Sequence, residues 1–442
     1  MDPWKPWQPS ADEPWDLRRV VHLHRRAAFA ATWKEIQRDL EDGPYAAIER
    51  LLAGESPVEG APEDFEKMAG VIGDAAIGSD NVNRLKAWWF YRMLFTPDPL
   101  GERLALMWHN HFATSNVKVE DVALMRRQNA VFRACARAPF GEMLRRMVKD
   151  PALLLWLDAD VNRKERPNEN LSREIMELFT LGVGNYTEAD IKEAARALTG
   201  WTVKDGEFRH SARDHDDGEK TIFQQTGRWN GDDVVRLLLE HPAAARRLAN
   251  RISELFMGEG AVDQASVDEL ADGLRERDLD IGWAVATVLH SAAFFSERNL
   301  GNRVLAPVEY IVGALRSLEI FDPPPSTLLL AERSSSLGQD LFDPPNVFGW
   351  PGGRAWLTSR AIIGRMNFAT ALVAGALHYP SHPFDAAALA ERHGAGRIEE
   401  QRVFYSRLLL GRANPPDDLV HHEDTLNRFV SSLLASPEAQ LA

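Results

Sequence analysis

PNENLSREIMELFTLGVGNYTEADIKEAARALTGW, residues Pro167–Trp201, decides the fold class. Leu171, Ile175 and Leu178 recur at helical spacing before a Gly182-Val183-Gly184-Asn185 turn, and Ile191, Ala194 and Leu198 do so after it. Two glycines in that turn interrupt the helical pattern. Thr187, with Asp190 three residues on, is a start signal of the capping-box kind. The stretch predicts two short helices joined as a hairpin. Its polar residues also group. Asn168, Glu169 and Asn170 open the first helix. At about 100° per residue, Asn170, Arg173, Glu174 and Glu177 share one face. Asp190 and Glu193 share a face of the second helix. The pattern fits two amphipathic helices with solvated acidic faces, or one wall of a carboxylate site. Opposed helical carboxylates can hold divalent metals, but the usual Glu-x-x-His pair is replaced here by Glu174-x-x-Glu177.

Helical periodicity continues outward in both directions. It covers Asp16–Phe29, Trp33–Leu40, Pro44–Leu52, Asn83–Leu94, Leu100–Phe112, Val119–Ala136, Phe140–Lys149 and Pro151–Leu157. It resumes at Gly231–Leu239, Pro242–Met257, Ser266–Arg277, Ile281–His290 and Pro307–Leu318. The last helices are expected at Ser359–Ala376, Asp385–Glu391, Glu399–Leu410 and His421–Leu434. Thr96 or Asp98 is placed to cap the helix after Pro99. Only Trp201–Val203, Glu207–Arg209 and Thr221–Gln224 resemble short strands. Two irregular stretches stand out, Lys204–Asn230 and the Pro- and Gly-rich Asp322–Trp356. The expected fold is mainly α, a large multi-helix orthogonal bundle with long irregular loops and at most a small β-hairpin. Residues 1–203 form an N-terminal helical part, 204–230 a polar loop or hairpin, and 231–442 a C-terminal helical part, together one unit.

Composition narrows the function classes. Asp plus Glu number 65 against 51 Lys plus Arg, a net charge of −14, which disfavours a non-specific grip on a nucleic-acid backbone. The single cysteine, Cys135, allows no internal disulfide. No stretch is long and apolar enough to predict a membrane span. The start, MDPWKPWQPSADEPWDL, has no basic segment followed by an apolar run, so no signal peptide is expected and the cytoplasm is the expected compartment. Thirteen tryptophans exceed the usual share, as buried cores or as faces that stack on sugars. Phosphate-cradling Gly loops and a Gly-x-Ser-x-Gly elbow are absent from the sequence, which disfavours dinucleotide, P-loop and α/β-hydrolase chemistry.

Three further motifs carry chemistry. In Trp108-His109-Asn110-His111-Phe112 the two histidines point about 200° apart on a helix, so one regular helix cannot bring both to one metal. His111 shares its face with Leu104, Met107 and Trp108, as a core histidine or an inward ligand. His210 and the run Asp214-His215-Asp216-Asp217-Gly218-Glu219-Lys220 could supply metal ligands or an acid–base pair, or form an Asp-rich surface turn. The segment Leu337–Gly353, with Asp343-Pro344-Pro345 and Phe348-Gly349-Trp350-Pro351, predicts a rigid loop that walls a site or packs on the core.

These motifs, in order, resemble the bacterial family known as domain of unknown function eighteen hundred. The resemblance rests on HLHRRAAFA at His22–Ala30, MWHNHFATS at Met107–Ser115 and, most specifically, Asn168–Trp201. His215–Ile252, Pro307–Leu318 and Gly338–Leu357 extend it. The family carries no settled activity. Its members are often encoded beside a secreted sulfatase-like protein, which implies a partner and a shared polymer. Many relatives look exported, whereas this start lacks an export signal. Many have His where this chain has Phe179, so a role for that His does not carry over.

Two classes of function follow as expectations. The first is an enzyme of unassigned reaction, with a divalent metal as candidate cofactor and a polymer such as a polysaccharide as substrate. Glu174 or His215 would act as base, and Arg173 and Lys220 would steady negative charge. Asn168, Asn170, Trp201 and Trp350 would contact substrate, and His111, Glu169 and Asp214 would hold the metal. The second is a non-catalytic helical scaffold or partner of a sulfatase-like protein, its polar clusters serving as buried networks. A third, carbohydrate binding through exposed Trp, depends on tryptophan faces reaching solvent.

Overall fold

The predicted hairpin of helices is present, but its first arm is composite. Asn170–Glu174 is α-helical and runs directly into a π-helix, Ile175–Leu181, before the turn. The second arm is Glu188–Ala197, capped as the sequence indicates. Thr187 Oγ1 accepts the Asp190 N–H at 3.2 Å, and the Asp190 carboxylate accepts the Thr187 N–H at 2.8 Å. The structure, a computed structural model, describes residues 2–56, 60, 62, 64–420 and 425–442.

The fold is mainly α, with twenty-one α-helices among the described residues. Local signals explain most of them. Asp98 caps Pro99–His111 by accepting the Gly101 N–H at 2.9 Å, and proline at the first helical position needs no donor. The expected Trp33–Leu40 and Pro44–Leu52 helices form one run, Trp33–Ala53, broken at Gly43, whose φ is 86°. Of the expected His421–Leu434 helix, residues 421–424 lie outside the described residues, and the helix runs Leu426–Ala435.

Three features depart from expectation. There are two β-hairpins where at most one is expected: β1 (Trp201–Lys204) pairs with β2 (Glu207–His210), and β3 (Lys220–Ile222) with β4 (Gln225–Gly227), both antiparallel. The β3–β4 turn is made by Phe223 and Gln224 at φ 49° and 63°, without the glycine that usually signals it. Two helices of ten residues or more form where none is predicted, Phe65–Gly78 and Thr327–Ser336. The first contains three glycines and the second ends in three serines, so each has poor intrinsic propensity. Both pack against Val82–Phe95, every residue of which from Leu85 onward is buried. Tertiary burial supplies what the local sequence lacks.

One continuous cluster of buried apolar residues extends from Trp4 to Ala442. Links between the N-terminal and C-terminal parts are direct: Trp4 Nε1 donates to the Ser266 carbonyl at 2.8 Å, and Arg26 Nη1 to that of Phe256 at 2.9 Å. All thirteen tryptophans are buried or half-buried. No helix among the described residues is long and apolar enough to cross a membrane.

Candidate functional site

The polar residues of Asn168–Glu174 bond to their own surroundings. Asn168 donates its N–H to Asn162 Oδ1 and accepts the Asn170 N–H on its own Oδ1, each at 2.9 Å. Asn170 Nδ2 reaches Asp158 Oδ2 at 3.4 Å. Arg173 forks onto Glu188 at 2.9 and 2.8 Å and reaches Glu169 at 3.1 Å, tying the two arms together. Glu174 makes no hydrogen bond to a described residue. Burial raises its pKa to about 7, and the neighbouring Glu177 adds to the rise. Glu177 itself accepts a hydrogen bond from the Tyr186 hydroxyl.

A π-helix leaves carbonyls at its end without intrahelical partners. His111 satisfies one of them. Its Nε2 donates to the Phe179 carbonyl at 3.0 Å, Arg247 donates to Leu178 at 3.2 Å and Asn185 Nδ2 to Leu181 at 3.0 Å. Burial holds the His111 imidazole neutral, with Arg251 and Arg247 nearby pushing the same way. The other polar residues of that motif anchor the Pro- and Gly-rich loop. His109 Nε2 accepts the Phe342 N–H at 3.1 Å, and Asn110 Oδ1 accepts the Trp350 N–H at 2.7 Å.

The Asp214–Lys220 run folds onto itself. Asp214 accepts the Ser211 hydroxyl at 2.7 Å on its carboxylate and the Lys164 N–H at 2.9 Å on its carbonyl. His215 Nδ1 donates to the Thr199 carbonyl at 2.9 Å, and its ring lies 5.2 Å from that of His210. Lys220 is buried, its ammonium donating to the Asp216 and Gly218 carbonyls at 2.5 and 2.9 Å, and burial lowers its pKa. Asn162 joins this run to Asn168: its carbonyl accepts the Gly200 N–H at 3.0 Å. Gly200 has φ +83°, and a Cβ there would lie 2.5 Å from the Ser211 carbonyl, so glycine is required. Trp201 is buried under the Lys149 ammonium.

These segments therefore do not meet in one cavity. Asn168 and Asp214 are linked only indirectly, through Asn162, Gly200 and Ser211, while His111 points into the core. Among the described residues no group of three or more His, Cys, Asp or Glu is placed to hold a metal ion. Glu169, Asp214 and His111 each lie in separate bonding environments.

A different cleft does open beside Trp350. It has a volume of about 170 Å³ and lies between Pro99–His111, Pro242–Met257, the segment leading into Pro307–Ser317 and the Trp350–Trp356 loop. Glu309 anchors its floor, bonded by Arg103, by Arg303 at 3.2 and 2.9 Å and by the Ala306 N–H at 3.0 Å. Burial pushes the Glu309 carboxyl up, but the two guanidiniums overcome this and hold it at about 2. Arg103 Nη2 and Arg303 Nε are buried without a partner. The side chains of Arg251, Glu254 and Glu259 line the same cleft and make no hydrogen bond or close ion pair to a described residue, Arg251 and Glu254 acting on each other only at a distance. Burial raises the Glu254 pKa, Glu259 adds to the rise and Arg251 opposes it. Glu254 is exposed as a whole residue, so solvent screening tempers the effect. Gly352 admits the Glu259 carboxylate closely: a Cβ there would lie 3.4 Å from it. Trp350 and Trp356 back the cleft and are buried.

Trp350 is the one residue of this cleft given a substrate contact from sequence, in the Leu337–Gly353 loop expected to wall a site or pack on the core. Arg251 lies within the Arg246-Arg247…Arg251 helix face, where charges look solvated. A readable signal exists at Arg103, which with Glu102 is one of two charged residues in the otherwise apolar Pro99–Trp108.

The fold and cleft define a mainly helical protein with a small polar cleft against a tryptophan-bearing loop. The chain belongs to the family described as Protein of unknown function (DUF1800), whose model matches residues 22–441. No curated protein and no solved structure matches it.

Proposed function

We infer that the cleft bounded by Arg103, Arg251, Glu254, Glu259 and Trp350 binds a hydroxyl-rich unit, one sugar residue at an end or branch of a longer polymer. One observation carries the reading. Arg251, Glu254 and Glu259 face one cavity and none has a bonding partner among the described residues. Buried side chains that only hold a fold are satisfied internally, as Lys220 is, whereas the buried Arg251 Nε has no partner. At about 170 Å³ the cavity is below the roughly 300–1,000 Å³ of ordinary small-molecule sites. It suits one small unit, not an enclosed chain. A guanidinium beside two carboxylates offers donors and acceptors to adjacent hydroxyls.

The reading extends to catalysis. A carboxyl with a raised pKa beside a second carboxylate is the pairing that glycoside hydrolysis uses. Glu254 would give its proton to the leaving oxygen, and Glu259 would activate water or attack. Glu169, Glu174, Asp214 and His215 have no part in this scheme, and it needs no metal. Screening the protein against an array of polysaccharide fragments tests binding, and release of reducing ends tests cleavage. Wild type should retain a subset of glycans, Glu259→Gln should lose most of that retention, and Glu254→Gln should bind without cleaving. An array with no retained glycan would sink the reading.

A second reading, the helical scaffold, is favoured by one surface. Ile362, Ile363 and Met366 are 46%, 59% and 51% exposed on one side of Ser359–Val373. A sulfatase-like protein, the partner suggested by the family resemblance, would be tested there by co-purification with Ile363→Asp.

A further inference from the structure

The cleft is lined by three guanidiniums, Arg103, Arg251 and Arg303, and three carboxylates, and the charges are sorted: Arg103 and Arg303 sit with Glu309 in the covered floor, while Glu254 and Glu259 are exposed. Arg26 and Arg103 are 0% and 1% exposed, and Arg303 is mostly covered. Glu309 is the one carboxylate bonded to Arg103 and Arg303, a surplus of 2 − 1 = +1 in the floor, and Arg26 lies behind the lining residues without a carboxylate bond. Arg26 is met only by neutral oxygens, the carbonyls of Phe256 and Asn299 at 2.9 Å and Asn302 Oδ1 at 2.6 Å. Arg251 adds a further cation to the wall, its Nε buried without a partner and its charge offset only at a distance by Glu254. Buried cations without counter-ions are costly. Arg103 lines the cavity, and its Nη2 is covered and has no partner.

We propose that the ligand of this cleft carries an oxyanion, seated on Arg251, Arg103 and Arg303. This rests on the cleft being a ligand site, as inferred above, and adds its charge class. Arg presents paired donors in a fork that matches carboxylate, sulfate or phosphate oxygens. The carboxylates of Glu254 and Glu259 stand at the exposed rim, where an anion would be repelled and hydroxyl or ammonium donors are accepted. The ligand is therefore polar in a fixed sense, anionic head inward and hydrogen-bond donors outward. An acidic sugar has that layout: its carboxylate or ester oxyanion sits beside ring hydroxyls.

The test titrates intact protein with glucuronate, glucose, glucose 6-sulfate, glucose 6-phosphate and inorganic sulfate at constant ionic strength, following tryptophan fluorescence and thermal midpoint. Arg251→Gln is the key variant because Arg251 makes no bond that folding needs, and an unchanged midpoint in buffer verifies that it folds. At least one acidic sugar should bind saturably, more than tenfold tighter than glucose, and lose at least tenfold in Arg251→Gln. Comparison of the carboxylate, sulfate and phosphate arms identifies the oxyanion. Glucose binding as tightly as every acidic sugar, indifferent to Arg251→Gln, would overturn the proposal while leaving a sugar site. Inorganic sulfate binding alone, lost in Arg251→Gln, would keep the anion seat and remove the sugar reading. No saturable binding in any arm would overturn both.

Discussion

Glu174 shows how a single side chain reports on its surroundings. Burial and the nearby Glu177 raise its pKa from 4.5 to about 7. The folded chain thus keeps a proton that the unfolded chain releases near 4.5. Between those values folding is linked to proton uptake, so stability falls as pH rises through the window and stays low above it. Glu174→Gln should flatten that dependence and gain about 1 kcal/mol at pH 8, after discounting for solvent at a half-buried site. Urea midpoints from pH 4.5 to 8 check this, and an unchanged slope would refute it. The sequence made Glu174 and Glu177 visible as a same-face pair, because helical spacing is local. It gave no sign that Arg251 would end without a partner. That depends on which residues of distant segments come near, and an Arg on a helix reads the same whether its head is solvated or faces a cavity.

At the scale of elements, what was legible followed bonding within a few residues. Thr187 with Asp190, and Asp98 before Pro99, announced their helices because a cap and its N–H groups lie in one turn. Phe65–Gly78 and Thr327–Ser336 were hidden because their stability comes from the Val82–Phe95 surface. The π-turn at Ile175–Leu181 was hidden for the same reason. Its stray carbonyls are met by His111 and Arg247, both more than sixty residues away. Asp98 joins both kinds of bond. It caps Pro99–His111 and also pairs with Arg137. Its carboxylate fills the space over Gly101, where a Cβ would lie 2.2 Å from Oδ2. Asp98→Ala should therefore cost about 2–3 kcal/mol, more than the ~1 kcal/mol of an ordinary cap. Arg137→Ala should cost less, since it spares the cap. Equal losses in chemical denaturation would place the energy in the ion pair instead.

Across the whole molecule, the polar stretch 204–230 reads as a division, yet bonding passes freely between the parts on either side of it. Arg26 and Arg103 come from the N-terminal part, Arg303 and Glu309 from the C-terminal part, and all four meet under one cleft. Removing the shared carboxylate strands the guanidiniums in a buried site. Glu309→Gln should therefore destabilise by about 3–5 kcal/mol, as broken buried ion pairs do. Because the apolar cluster is continuous from Trp4 to Ala442, the loss should be felt by the entire chain at once. Calorimetry should show one transition for wild type, moved to lower temperature but still single in Glu309→Gln. Two resolved transitions in the variant would mean that 1–203 and 231–442 fold as separate domains, with the Glu309 cluster an interface between them. A single shifted transition would make the same cluster part of one cooperative core. In that case an oxyanion seated on Arg251, Arg103 and Arg303 should raise the transition of the wild-type chain as a whole, through ordinary linkage of binding to folding.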